Sequence, residues 1–142
     1  MRYAIDRDAL GRTRSGVVHG QSAQGTFAVV LEGDGEGGWH VDGAPAPHLD
    51  GVLDVDLESS SMTNAFPVGR LDLRPGERAD APAAWVRQLD GAVERLEQRY
   101  ERLAGAGERY AYVSLADGFR GELAYDASGL VLDYPGIATR AG

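Results

Sequence analysis

The chain has no cysteine, so it can form no disulfide framework and offers no thiolate for catalysis or metal binding. It has no lysine either: all 14 basic residues are arginines. With the abundance of Ala, Gly, Asp and Arg, that bias is the mark of a high-GC bacterial coding sequence rather than of a function. Long apolar runs are also missing. None approaches the roughly 18 residues that cross a bilayer as a helix, so the chain is not expected to span a membrane. The opening MRYAIDRDAL carries charges at positions 2, 6, 7 and 8 and lacks the apolar stretch of a secretory leader, which points to the cytoplasm. Positive charge is scarce overall: the net charge is −8 and the pI about 4.8. No basic patch forms in the linear sequence, so no nucleic-acid partner is expected, and an anionic surface repels the chain on average.

What is present reads as one folded domain spanning residues 1–142. A hydrophobic fraction of 43% and a charged fraction of 25% are those of a globular chain, not a disordered one. Twenty glycines without a three-residue period mark many tight turns, hence many short strands. Strands are expected at Arg2–Arg7, Thr13–Val18, Thr26–Leu31, Trp39–Val41 and Ala84–Leu89. A three-stranded antiparallel meander is expected from Arg109–Leu115, Phe119–Asp126 and Leu130–Tyr134, with turns at Asp117-Gly118 and at Asp126–Gly129. One segment conflicts with this pattern. Ala92–Leu103 sets Val93, Leu96, Tyr100 and Leu103 at helical spacing among good helix formers.

Residues 49–73, LDGVLDVDLESSSMTNAFPVGRLDL, concentrate the chemistry. Leu53, Val55 and Leu57 alternate with Asp54, Asp56 and Glu58, so a strand here places an apolar row on one face and three carboxylates on the other. A polar cluster follows (Ser59, Ser60, Ser61, Thr63 and Asn64), then an apolar run through Pro67 and an arginine at Arg70. Asp54 and Asp56 on one face stand about 6.5–7 Å apart. That lies within the range of the acid and base of an inverting glycosidase. The same spacing equally describes a solvated strand face, or aspartates bonded to nearby backbone. If buried, such a pair needs a cation such as Arg70 beside it.

Other motifs carry less. The run Asp54–Glu58 opens like a calcium loop but has Ser59 where glycine is required and Ala65 where glutamate is required. His19, His40 and His48 have no metal-ligand spacing. The glycines of 33–38 lack the lysine and hydroxyl residue of a phosphate loop and read as a hairpin turn. Ser59–Ser61 lack a nucleophile elbow. The tryptophans Trp39 and Trp85 and the tyrosines Tyr100, Tyr110, Tyr112, Tyr125 and Tyr134 fit packed sheet faces, or a lining that stacks on sugar rings. No cofactor is implied.

Three blocks together carry a resemblance: Leu49–Leu71; Gln98 and Tyr100 with Tyr110–Ser114; and Gly118–Gly136. They resemble the bacterial Putative glycolipid-binding domain family, across roughly Arg2 to Arg140. The resemblance implies an all-β antiparallel half-barrel or roll, like the lipid-carrier β folds, with an apolar interior. It also implies strand rather than helix over 92–103, since Gln98 and Tyr100 then share a face. Two departures stand out. Typical members begin several strands earlier, which implies an open sheet edge here through which oligomers could form. In addition, Ala65 and Gly69 replace a hydroxyl residue and an arginine of the family pattern.

The function implied is non-enzymatic binding of an amphipathic or glycolipid-like ligand. Leu53, Val55, Leu57, Val68 and Leu71 would form the apolar wall. Asp54, Asp56, Asn64 and Arg70 would hydrogen-bond a polar head, and Trp85 and Tyr100 would complete the lining. The alternatives are a sugar-active enzyme using Asp54 and Asp56, or a structural or interaction domain acting through the open edge.

Overall fold

The computed structural model describes residues 2–58, 63, 65–105, 108–115, 118, 120–125, 131–134 and 138–139, the last two segments by their backbone alone. The polar residues Ser59–Ser61 and Asn64, and the turn residues Asp117 and 126–129, lie outside the described residues. The chain opens as five successive antiparallel neighbours: β1 (Arg2–Arg7), β2 (Thr13–Ser22), β3 (Gly25–Gly33), β4 (Trp39–Val41) and β5 (Ala44–Pro45). Next come β6 (Asp54–Leu57), a helix α1 (Ala65–Leu71), β7 (Arg78–Asp80), β8 (Ala83–Val86) and β9 (Val93–Leu96). The rest is β10 (Gln98–Arg102), β11 (Glu108–Ser114), β12 (Arg120–Tyr125), β13 (Val131–Tyr134) and β14 (Ala138–Thr139).

These strands form three sheets. The first runs β1-β2-β3-β4-β5, the second β14-β13-β12-β11-β10-β7, and the third is the small sheet β6-β8-β9. The fold is all-β and mostly antiparallel, and the described sheets do not close into a barrel. The exception to antiparallel pairing is β6 with β8, which run parallel, with Asp54 opposite Ala83 and Asp56 opposite Trp85. A parallel pair needs a crossover connection. Part of that connection is helical: Val68 and Leu71, expected to share an apolar wall with the strand residues Leu53, Val55 and Leu57, lie on a helix over Ala65–Leu71. Pro67 falls in the first turn, where its missing N–H leaves no helical bond unmade. The helix stops at Asp72, whose φ of 47° is left-handed and whose N–H donates back to the Val68 carbonyl.

Residues 92–103 are extended, as the resemblance implies. Gln98 pairs with Ser114 and Tyr100 with Tyr112 across β10 and β11. The long-range ladder outweighs a local helical spacing, because a helix here would leave the inner edge of β11 without a partner.

Two cores result. In the first, Val18, Val29, Leu31 and Trp39 of the five-stranded sheet pack with Val55, Leu57, Ala84 and Val86 of the small sheet. Trp39 also donates its indole N–H to the Val52 carbonyl at 2.8 Å. In the second, Val68 and Leu71 of α1 pack with Tyr100, Tyr110, Tyr112, Leu123 and Tyr125 of the six-stranded sheet. The Phe27 ring at the edge of the first core rests on two glycines: a Cβ at Gly20 would stand 2.2 Å from it, and one at Gly91 2.3 Å. Gly91 also has φ +75°. Gly91→Ala therefore combines overpacking with backbone strain. It is expected to lower stability by about 2–4 kcal/mol, read as a reduced urea midpoint. An unchanged midpoint would show that Phe27 has room to move.

Candidate functional site

Strand β6 is buried on both faces, as parallel strands generally are. Val55 and Leu57 enter the first core. The opposite face carries Asp54 and Asp56 as the alternation requires, but Asp54 is only 1% exposed, so this face is covered rather than solvated. What covers Asp54 is α1. Arg70, in the last turn of that helix, sets its Nη2 2.8 Å from Oδ2 of Asp54, and its Nε 3.2 and 3.3 Å from the two oxygens. Burial pushes the Asp54 carboxyl up, against the pull of Arg70 and, more distantly, of Arg7 on β1.

Asp56 lies further along the same face. It accepts a hydrogen bond from the Thr63 hydroxyl at 2.8 Å, and the same Thr63 oxygen accepts the Leu57 N–H at 3.2 Å. Burial pushes the Asp56 carboxyl up to about 7; Thr63 opposes this, while Glu58 and Asp54 add to it. Trp85 is the direct cross-strand partner of Asp56 and shares its face. Its half-buried ring carries the Arg87 guanidinium at 4.2 Å, and Arg87 in turn bonds Glu58 at 3.0 Å and Glu94 at 2.9 Å.

The structure thus brings Asp54, Asp56 and Trp85 onto one sheet face and adds Arg70 from α1. Tyr100 is placed elsewhere. It is fully buried in the second core, its ring 5.2 Å from that of Tyr112. Of the residues expected to form an apolar wall, Val55 and Leu57 are packed in the first core and Val68 and Leu71 in the second. Neither Asp54 nor Asp56 lines any of the described surface clefts. Among the described residues, no three His, Asp or Glu side chains converge as metal ligands would.

One cleft adjoins this constellation, and sequence reasoning missed most of it. It has a volume of about 510 Å³ and lies between Ile5–Gly11, at the end of β1, and Gly69-Arg70 of α1. The 8–12 loop that walls it is tied by Asp8, which accepts N–H bonds from Leu10 at 2.9 Å and Arg12 at 3.0 Å and pairs with the Arg12 guanidinium at 2.7 Å. Gly11, with φ +82°, brings the loop against Arg70: a Cβ there would stand 3.4 Å from the Arg70 Cβ. Arg7 lies with its guanidinium 4.3 Å above the Phe66 ring of α1. Leu10 is 66% exposed at the rim. No local motif marks these residues. They meet only because the end of β1 and the end of α1 converge above Asp54.

Removing Arg70 alone strands a buried carboxylate. Arg70→Met is expected to lower stability by about 3–5 kcal/mol, and the double change Asp54→Leu with Arg70→Met by much less. Guanidinium chloride unfolding of both variants decides this; equal losses would mean that Asp54 is not held by Arg70.

The shift at Asp56 has a definite sign. The folded chain keeps this proton up to about pH 7, whereas the unfolded chain releases it near 3.8. The stabilisation is therefore fully present below about pH 4 and is lost as pH rises to about 7. Asp56→Asn cannot ionise. It should flatten that decline and be more stable than the parent by about 1–3 kcal/mol at pH 8. Urea midpoints measured across the range test this; parallel curves for the two proteins would refute it.

A family model described as "Putative glycolipid-binding" matches residues 1–140. The fold is also similar to the crystal structure of a DUF1089 family protein from Pseudomonas aeruginosa. The two are 36% identical with a TM-score of 0.89, over 98% of this chain and 76% of that one. No curated protein matches the chain.

Proposed function

The chain belongs to the Putative glycolipid-binding family, and on that premise we propose that it is a non-enzymatic binding module for an amphipathic, glycolipid-like ligand. The observation that carries this reading is the cleft at the end of β1. It brings Arg7 and Arg70 together with Asp6, Asp8, half-buried Ile5 and exposed Leu10. A polar head would sit against the arginines, and an apolar chain would leave across Ile5 and Leu10. Asp54 would serve as the anchor that holds Arg70 in place, in keeping with its burial under the ion pair.

Binding is favoured over sugar hydrolysis by how the carboxylates are used. An acid and base need a substrate between them. Here Asp54 is bonded to Arg70 and Asp56 to Thr63, and neither lines a described cleft. No helix among the described residues is long and apolar enough to cross a membrane.

The test is native mass spectrometry of protein purified from its own host, followed by rebinding of monogalactosyldiacylglycerol after delipidation. A co-purifying amphiphile, or rebinding that weakens roughly tenfold in Leu10→Ser at unchanged stability, is the expected result. A protein that carries no amphiphile and rebinds none would overturn the proposal.

A further inference from the structure

Arg7 differs from Arg70 and Arg12 in having no ion-pair partner among the described residues, although it interacts with the Asp54 carboxylate at longer range. Arg70 is neutralised by Asp54 at 2.8 Å, and Arg12 by Asp8 at 2.7 Å. Asp6 also borders the cleft, but strand alternation turns its carboxylate to the far face, where the Ser15 hydroxyl donates to it at 3.3 Å. Arg7 has no ion pair among the described residues. It is not loose, however. Its guanidinium lies over the Phe66 ring at 4.3 Å, which fixes the plane of the group and leaves its N–H edge available. A second guanidinium, Arg70, lines the same cleft with only its Nε and Nη2 committed to Asp54. A fixed arginine with no ion pair among the described residues, lining one cleft with a second whose guanidinium is only partly committed, offers hydrogen-bond donors to one negative charge.

We propose that the Arg7–Arg70 cleft takes a single oxyanion, a phosphodiester or carboxylate, so that the ligand is acidic rather than a neutral glycolipid. The inference rests on the cleft assigned above and specifies the chemistry of the head group. Planar guanidinium edges match the paired oxygens of a phosphodiester or carboxylate, whereas a neutral sugar would leave Arg7 without an ion-pair partner. The strongly negative chain works against adsorption to a dense anionic surface, so recognition is of one group at a time.

The experiment uses three probes: glycerophosphoinositol in solution, and phosphatidylcholine vesicles sparsely doped with phosphatidylinositol or with monogalactosyldiacylglycerol. Binding of both inositol probes is expected, falling about tenfold or more in Arg7→Ala, with the galactolipid bound correspondingly less well. Arg78→Ala removes the same charge from exposed β7 and should bind like the parent. Arg7 is exposed, so its loss leaves the cores intact. Equal affinity for the two lipids, indifferent to Arg7→Ala, would end the oxyanion assignment while leaving the amphiphile reading in place. Arg7-dependent binding of glycerophosphoinositol with no binding of either lipid would sustain the oxyanion site and remove the amphiphile reading. Silence from all three probes would remove both.

Discussion

The ion pair between Asp54 and Arg70 is the contact on which the middle of this molecule turns. Strand β6 is parallel to β8 and enclosed on both faces, so the carboxylate that alternation places at position 54 has no route to water. A buried carboxylate without a partner is among the costliest features a fold can carry. The crossover helix resolves this. It is the connection that parallel pairing demands, and it delivers a guanidinium to Asp54 from its last turn. The same helix buries Val68 and Leu71 against the six-stranded sheet, so one short element covers a charge and closes a core. Such a pair contributes less to net stability than to the seating of the helix: an apolar pair could fill the space, but a lone carboxylate would reject a misplaced helix.

That constraint also shapes the surface. Held by Asp54, Arg70 forms the floor of the cleft at the end of β1, and Gly11 lets the 8–12 loop close against it. The aspartates that seemed the chemical centre of the sequence are then supports. Asp54 orients an arginine, and Asp56 is absorbed by Thr63 beside a tryptophan already capped by Arg87. On the proposed reading the groups that would meet a ligand are Arg7 and Leu10, neither of which stands out in the linear chain.

Much of the β architecture was readable from residue order alone. Alternation placed Val55 and Leu57 opposite Asp54 and Asp56. Turn residues separated the early strands. Gln98 and Tyr100, taken with the family blocks, argued against the helix that local spacing suggests over 92–103. These features survive folding because side-chain alternation and glycine-rich turns are properties of a few neighbouring residues. Strand ends were less legible: β2 runs on to Ser22 and β3 to Gly33, because each is prolonged by its hairpin partner rather than by its own composition.

The sequence by itself determined an all-β chain, the two faces of β6 and the need for a cation near its aspartates. Tertiary structure decided which cation answered that need, that residues 65–71 coil into a helix to bring it, that Tyr100 joins the second core away from Asp56, and that Arg7 and Arg70 line one cleft. The reason is one of range. Alternation is set by the backbone one residue at a time, whereas the partner of Asp54 lies 16 residues further on, and Arg7 and Arg70 meet from separate elements. Those meetings depend on how sheets and helix bury their apolar faces together, a condition that no single segment contains.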